Sequence, residues 1–293
     1  MCGNLVSGES LASKLGISRV AVWKNIKKLQ DEGFGIVSEY RGYRMVSDSD
    51  LPVPEALGDI GYDVNYLDSA DSTMNEADKA ALNGCSDGSV FIAETQTAGM
   101  GKSGRSWLSG RGGLYFSLIS KPELSPKKAY FPLLKAAFCL CEILNKKYKL
   151  SALFKWPNDI LVGGKKVVGL LENYSVCGDK LNFVNIGIGV NVHNTPLLDK
   201  AACLDDLSGI NQSRKSLLLD FLKSYSENQN RKEILQALNS YSYLKNKRVK
   251  AQTPEGNAIS GIAGDVREDG MLTAGLPDGT SAKIDYCSEL LSN

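Results

Sequence analysis

Glu94-Thr95-Gln96-Thr97-Ala98-Gly99-Met100-Gly101-Lys102-Ser103-Gly104-Arg105-Ser106-Trp107 is the stretch on which the reading of this chain turns. Between Gly99 and Arg105, three glycines alternate with two cations, Lys102 and Arg105. Glycine lets backbone N–H groups turn toward a ligand with no Cβ in the way, and the cations supply compensating charge. Such a loop suits an anion. Downstream, Lys155-Trp156-Pro157-Asn158-Asp159 sets another cation beside a rigid aromatic-proline turn. Together the two stretches point to chemistry on a carboxylate and a phosphate.

Gly101-Lys102-Ser103 also has the form of the end of a phosphate-binding P-loop, and that reading fails twice. The P-loop glycine expected five residues before Gly101 is Gln96. A P-loop must also open directly into a helix whose N-terminus holds the phosphates. Here Ser103 leads into Gly104 to Gly113, rich in glycine, and then into the β-type run Leu114-Tyr115-Phe116-Ser117-Leu118-Ile119. Both are poor helix starters. On the loop alone, a plain flexible surface loop stays open as the alternative.

Outward from the loop, the order of motifs is specific. Asp71-Ser72-Thr73 precedes it, Lys155 to Asp159 follows, and Gly189-Val190-Asn191 ends a strand. In this order the chain resembles the biotin protein ligases, which carry Asp-Ser-Thr, a Gln-x-x-Gly-Arg-Gly-Arg-x-Gly-Arg-x-Trp loop, Lys-Trp-Pro-Asn-Asp and a Gly-x-Asn strand end. The resemblance covers nearly the whole chain. Two loop positions depart from it: Met100 and Lys102 stand where arginines are usual. Lysine keeps the charge but loses the planar fork that matches phosphate and carboxylate oxygens.

The resemblance implies an α+β chain in three parts: a winged helix-turn-helix over 1–47, a mixed-sheet, class II synthetase-like catalytic domain over 48–244 and a small SH3-like barrel over 245–293. It implies ATP with its Mg2+, and biotin as substrate. The carboxylate attacks the α-phosphate to give biotinyl-adenylate, and a lysine of a biotin carboxyl carrier protein then takes the biotin. Lys155, Lys102 and Arg105 are the expected catalytic cations, with Lys155 bridging carboxylate and phosphate. Ser72, Thr73, Met74, Gln96, Gly99, Met100, Gly101, Lys102 and Lys155 are expected around biotin, the amides of Gly99 to Gly101 clasping the adenylate. Arg105, Trp107, Asn158 and Asn191 are expected around the nucleotide, and no resident metal site is expected. A lipoate ligase of the same fold, and a biotin-sensing repressor without ligase activity, are the competing readings.

Residues 1–47 read on their own as a DNA-binding module. Glu9 to Leu15 forms a short helix, Gly16-Ile17-Ser18 a turn and Arg19 to Gln30 a second helix, in which Val22, Ile26 and Leu29 fall at helical spacing. Ile36 to Val46 forms a hairpin with Arg41-Gly42 near its tip, a wing. Seven lysines and arginines against four acids leave a surplus of three positive charges. Ser18, Arg19, Trp23, Lys24, Lys27 and Arg41 are the candidates for DNA contact, in a homodimer on an operator. A winged helix-turn-helix has a further helix ahead of these two, and only Met1 to Gly8 precede them. A folded appendage is the alternative.

Ser47 to Pro54 reads as a polar, proline-containing linker. Thr73-Met74-Asn75-Glu76 has the form of a capping box, opening a helix that Gly84 closes, so Ser72 and Thr73 serve either as caps or as ligand contacts. Val90 to Ala93 is a buried-type strand feeding the loop. A long helix is expected from Ser125-Pro126, with Leu133, Leu134, Ala137, Phe138, Cys141 and Leu144 as its core stripe. Ile160 to Leu171 reads as a hairpin, and Asn182 to Asn191 as a strand with Val184, Ile186, Ile188 and Val190 on one face. Asn185, Gly187, Gly189 and Asn191 share the other, as a ligand floor or a seat for a helix. Helices over about 213–227 and 230–240 follow, then short strands with turns at 254–257, 268–270 and 277–279.

Composition sets the frame. Of 293 residues, 43% are hydrophobic and 23% charged, values of a globular protein, and a net charge of +1 selects no partner class. No apolar run or leader-type start is present, which places the expected location in the cytoplasm. Seven scattered cysteines without a Cys-x-x-Cys pair read as reduced thiols, with Cys139 and Cys141 on different sides of a helix. The lone His193 has no catalytic partner near it in sequence and reads as structural or solvent-exposed.

Overall fold

A computed structural model of the chain describes residues 5–31, 34–47, 50–196, 198–227, 230–284 and 286–290. It divides into two units: residues 1–58 with 213–218, and residues 59–212 with 219–293.

In the first unit, α1 (Gly8–Leu15) starts where the Ser7 hydroxyl accepts the Ser10 N–H at 3.1 Å and stops at Gly16, whose φ of 64° only glycine adopts cheaply. Ser18 caps α2 (Arg19–Asp31) in the same way, accepting from the Ala21 N–H at 3.1 Å. Val22 of α2 is buried and Ile26 and Leu29 are half-buried, the expected inward stripe. The wing consists of β1 (Gly35–Glu39) and β2 (Gly42–Ser47), paired antiparallel and closed by Glu39 and Arg44 at 2.6 Å. Val6 adds a bridge to Tyr43, and it explains Gly42: a Cβ there would lie 2.2 Å from the Val6 carbonyl oxygen. The helix expected ahead of α1 would fall among residues 1–4, outside the described residues, or before them. A short helix α3 (Pro54–Leu57) and residues 213–218 complete the unit, with the Arg214 guanidinium donating to Asp50 at 2.5 Å and its backbone N–H to the same carboxylate at 2.6 Å. Arg214 is only 6% exposed, so this pair holds the unit's buried charge.

The second unit is built on a seven-stranded mixed sheet. Its strands are β3 (Asp63–Leu67), β4 (Ser89–Ala93), β5 (Leu114–Ser120), β6 (Ala152–Lys155), β7 (Asp159–Val162), β8 (Lys165–Cys177) and β9 (Lys180–Val190), in the order β3-β4-β5-β9-β8-β7-β6. Only β3 and β4 run parallel. The helices are α4 (Thr73–Leu82), α5 (Phe131–Lys146), α6 (Leu204–Ser208), α8 (Arg231–Ser240) and, from residue 219 onward, α7 (Arg214–Ser226), whose first residues belong to the first unit. Helix α4 lies on the face of β9 that carries Phe183, Asn185 and Gly187: Ala77 and Ala81 pack with Phe91, Ile119 and Phe183, and the Asn185 amide donates to the Met74 carbonyl at 2.9 Å. The other face, Val184, Ile186, Ile188 and Val190, is buried throughout. Helix α5 packs on β6, β8, β9 and α8 and is apolar nearly all round, as a helix at the centre of a domain must be. Cys139 and Cys141 are therefore both enclosed although they leave the helix in different directions, and burial pushes the Cys139 thiol up to about 11 and Cys141 higher still. The C-terminal strands β10 (Arg248–Gln252), β11 (Ala258–Val266), β12 (Leu272–Gly275), β13 (Ser281–Ile284) and β14 (Tyr286–Leu290) form an antiparallel sheet, β13-β12-β11-β10-β14, with turns at the three expected places.

Two helix starts differ from expectation. The helix foreseen from Ser125-Pro126 begins at Phe131, because Pro126 to Lys128 close a separate 3-10 turn. The capping box does not form: Ser72 caps α4 by accepting from the Met74 N–H at 3.3 Å, Glu76 pairs with Lys79, and the Thr73 side chain turns elsewhere. Among the described residues no helix is long and apolar enough to cross a membrane, and no group of three His, Cys, Asp or Glu side chains could hold a metal ion.

Candidate active site

The glycine-cation loop folds back on itself. Met100 bridges Ser106, the Gly101 N–H donates to the Arg105 carbonyl at 2.7 Å, and the Trp107 N–H donates to the Gly99 carbonyl at 2.8 Å. Lys102 to Gly104 make one 3-10 turn with Ser103 at φ 60°, and no α-helix follows, which removes the P-loop reading on geometry as well. The loop's glycines serve mainly the loop. A Cβ on Gly99 would lie 2.4 Å from the Trp107 carbonyl oxygen, and the Gly101 N–H is already engaged, so the expected amide clasp around an adenylate is not formed by Gly101 here.

A cavity of about 440 Å³ opens beneath the loop. Its floor is the polar-side face of β8 and β9, where Gly169 stands opposite Gly189 and Leu171 opposite Gly187. Each glycine marks a close approach: a Cβ on Gly169 or Gly189 would come within 2.5 Å of the Trp107 ring, and one on Gly187 within 2.5 Å of Met74 Sδ. Of the two glycines the sequence marked on β9, Gly187 seats Met74 of α4, and Gly189, together with Gly169 of β8, seats the loop's Trp107. Trp107 Nε1 is buried with no hydrogen-bond partner, a donor left for an acceptor within the cavity.

At the α4 end, a chain of hydrogen bonds fixes the wall. Ser117 donates to Thr73 Oγ1 at 2.9 Å, Gln96 Oε1 accepts from the Thr73 N–H at 2.8 Å, and Gln96 Nε2 donates to Ser109 at 2.7 Å. Ser72, Thr73, Met74, Gln96, Met100, Gly101, Lys102, Arg105, Trp107, Asn158 and Asn191 are brought together in the lining of this cavity. Asn158 is tied to β8, donating to the Leu170 carbonyl at 2.7 Å, and Asn191 Oδ1 accepts from Asn194 at 2.9 Å.

Lys155 and Gly99 are not among the lining residues. Lys155 stands on the edge strand β6 opposite Asp159 of β7, and it is Lys166 of β8 that takes the place nearer the floor. The Lys166 ammonium lies 2.6 Å from Asp159 Oδ1 and 5.0 Å from the centroid of the Trp107 ring. The Asp159 contact is a charge pair rather than an aligned hydrogen bond. His193 sits in a structural position: its Nδ1 lies 2.7 Å from Asp205 Oδ2, a carboxylate brought from α6 that is not near it in sequence, and it does not line the cavity. The candidate DNA-contact residues Ser18, Arg19, Trp23, Lys24, Lys27 and Arg41 are all exposed.

Comparison with known proteins agrees with this geometry. Residues 66–191 match the Biotin/lipoate A/B protein ligase family and residues 3–44 match an HTH domain. The chain is 34% identical over 240 residues to the Bifunctional ligase/repressor BirA of Bacillus subtilis, covering 76% of this chain and 74% of that one. It is 30% identical over 211 residues to the Biotin–[acetyl-CoA-carboxylase] ligase of Mycobacterium tuberculosis, covering 66% of this chain and 76% of that one. Among solved structures, the biotin protein ligase from Aquifex aeolicus in complex with biotin and ATP superposes with a TM-score of 0.64 at 29% identity, covering 79% of this chain and 99% of that one.

Proposed function

Because this chain belongs to the biotin protein ligase family, we propose that it activates biotin with ATP to biotinyl-5'-AMP and transfers the biotin to a lysine of a biotin carboxyl carrier protein. The observation that carries the reading is the 440 Å³ cavity, whose lining combines apolar Met74 and Gly187, the aromatic Trp107 and the cations Lys102, Arg105 and Lys166. That combination of surfaces suits an apolar acid joined to a nucleotide.

The first step brings two anions together, a carboxylate oxygen attacking the α-phosphorus while pyrophosphate leaves. Charge neutralisation and positioning supply its rate, and no acid–base pair is required. Lys166 takes the bridging role the sequence assigned to Lys155, its ammonium held by Asp159. Lys102 and Arg105 neutralise phosphate charge from the loop. Thr73 and Gln96, locked by Ser117 and Ser109, set the wall against which the biotin head group is held. Magnesium would arrive with the nucleotide, and Asn191 and Asn194, which both line the cavity, would be the carboxamides at hand to hold it.

In a second role, favoured by exposed basic residues along α2 and at the wing, the chain binds an operator as a homodimer and represses transcription in the cytoplasm. Incubation with ATP, magnesium and labelled biotin or lipoate tests the first role: biotinyl-adenylate is expected, and lipoyl-adenylate alone would overturn it. For the second, binding to operator DNA should weaken steeply with salt, and salt-independent or absent binding in the presence of biotin and ATP would leave the module an appendage.

A further inference from the structure

A second cavity, of about 260 Å³, lies between the catalytic sheet and the C-terminal sheet and shares one wall, Lys102, with the first. Its sides are aromatic, Tyr130, Trp156 and Tyr174, and it carries two carboxylates, Glu172 and Asp269. Its frame is firm. Trp156 Nε1 donates to the Gly270 carbonyl at 2.8 Å and the Tyr130 hydroxyl to the Pro157 carbonyl at 2.6 Å. Asp269 is held by Lys283 at 2.8 Å. Glu172 is different. Its Oε2 is shut off from water and has no hydrogen-bond partner, an arrangement that costs free energy unless a donor is brought to it.

We propose that this cavity receives the side chain of the acceptor lysine, its hydrocarbon stem between the aromatic walls and its ammonium on Glu172, which takes the proton that must leave before the amine can attack the adenylate. The proposal rests on the ligase reading above. An alkyl stem ending in a cation fits aromatic faces backed by a carboxylate. Of the two carboxylates in the cavity, Asp269 already holds Lys283, whereas Oε2 of Glu172 has no donor of its own. Burial raises the Glu172 carboxyl to about 8, against the pull of the Lys102 ammonium, so near neutral pH its ionised fraction takes the proton, as a stronger base than an ordinary carboxylate. Lys102 also gives the two half-reactions an order: while the first cavity is empty its charge lies beside Glu172, and an adenylate phosphate in that cavity draws it away. In the transfer step the first proton goes from ammonium to Glu172, nitrogen bonds to the acyl carbon, and the carbon–oxygen bond to phosphate breaks with its electron pair leaving on AMP. The second proton departs to water.

The test uses the full chain with preformed biotinyl-adenylate and two nucleophiles: n-pentylamine, protonated near neutral pH, and hydroxylamine, neutral there. Glu172→Gln is expected still to accumulate the adenylate and to pass it to hydroxylamine as the wild type does. Its transfer to n-pentylamine is expected to fall by about 100-fold. The deficit should shrink as rising pH deprotonates the alkylamine in solution, and Glu172→Asp should restore part of the rate. Around Glu172 the other titratable groups are Lys102, Lys127, Tyr130, Tyr174 and Asp269, and none of them is altered in the comparison. Equal n-pentylamine rates in the glutamine variant and wild type, or equal losses with both nucleophiles, would overturn the proposal. Failure of the wild type to form any adenylate would instead overturn the ligase reading.

Discussion

A lysine ammonium neutralises a reacting phosphate only where it can reach the cavity, and of Lys155 and Lys166 only the second lines it. Lys166→Ala is therefore expected to slow biotin-dependent pyrophosphate exchange by about 100-fold or more, roughly 3 kcal/mol of transition-state stabilisation, while Lys155→Ala stays within about tenfold of wild type. The reverse ranking would return the role to Lys155. The chemistry of the site was legible at this scale: every expected lining residue but Lys155 and Gly99 came together. Lys166 was hidden by its neighbour. Lys165 and Lys166 are adjacent cations at a strand start, and which of them faces the floor depends on a register shift between Ile160 and Leu161 that no composition signal marks. Lys102 carries a second expectation. Its ammonium lies 6.0 Å from the Trp156 centroid and is a point charge on a flexible stem, where an arginine would offer a planar fork. Lys102→Arg should lengthen the lifetime of bound adenylate, read as a slower dissociation rate; an unchanged or faster rate would place retention in Arg105 or the loop backbone.

Among the elements, the turns were the easiest to foresee, since Gly163-Gly164 and the three C-terminal Gly-containing turns need positive φ that few residues other than glycine supply. Helix starts were harder. Thr73 and Glu76 fit a capping box by type, but Thr73 is drawn into the Ser117 and Gln96 hydrogen bonds, a tertiary demand invisible in local sequence. The Trp156-Pro157 turn also does more than hold a cation, because its indole ties the catalytic sheet to the β11–β12 turn. Trp156→Phe keeps the ring and leaves the Gly270 carbonyl without its donor. A loss of about 1–3 kcal/mol is expected, measured as a lower urea midpoint at unchanged slope. A midpoint equal to wild type would mean that water replaces the indole.

For the molecule as a whole, one buried acid should tilt stability with pH. The Glu172 carboxyl is raised to about 8 on folding, so the folded chain holds a proton there that the unfolded chain gives up near the ordinary carboxylate range. More protons bound in the folded state make stability fall as pH rises between those values and level off above the upper one. Subtracting the urea midpoints of Glu172→Gln from those of wild type isolates this contribution. The difference should move against wild type from about pH 5 to about pH 8, and a flat difference would show the carboxylate to be ionised at little cost.

The pairing of Asp50 with Arg214 bears on how such a chain could be shortened. The first unit takes its last six residues from 213–218, so cutting the polypeptide after residue 58 does not remove a self-contained part; it leaves behind one end of α7 with a guanidinium that is 6% exposed and lacks the Asp50 carboxylate. A chain beginning at residue 59 should accordingly melt at lower temperature than the full chain, and Arg214→Leu should recover much of that loss in the shortened chain while harming the intact one. If the shortened chain melts as high as the parent, the pair is ornamental. If the rescue works, removing residues 1–58 without loss of stability requires Arg214 to be discharged first.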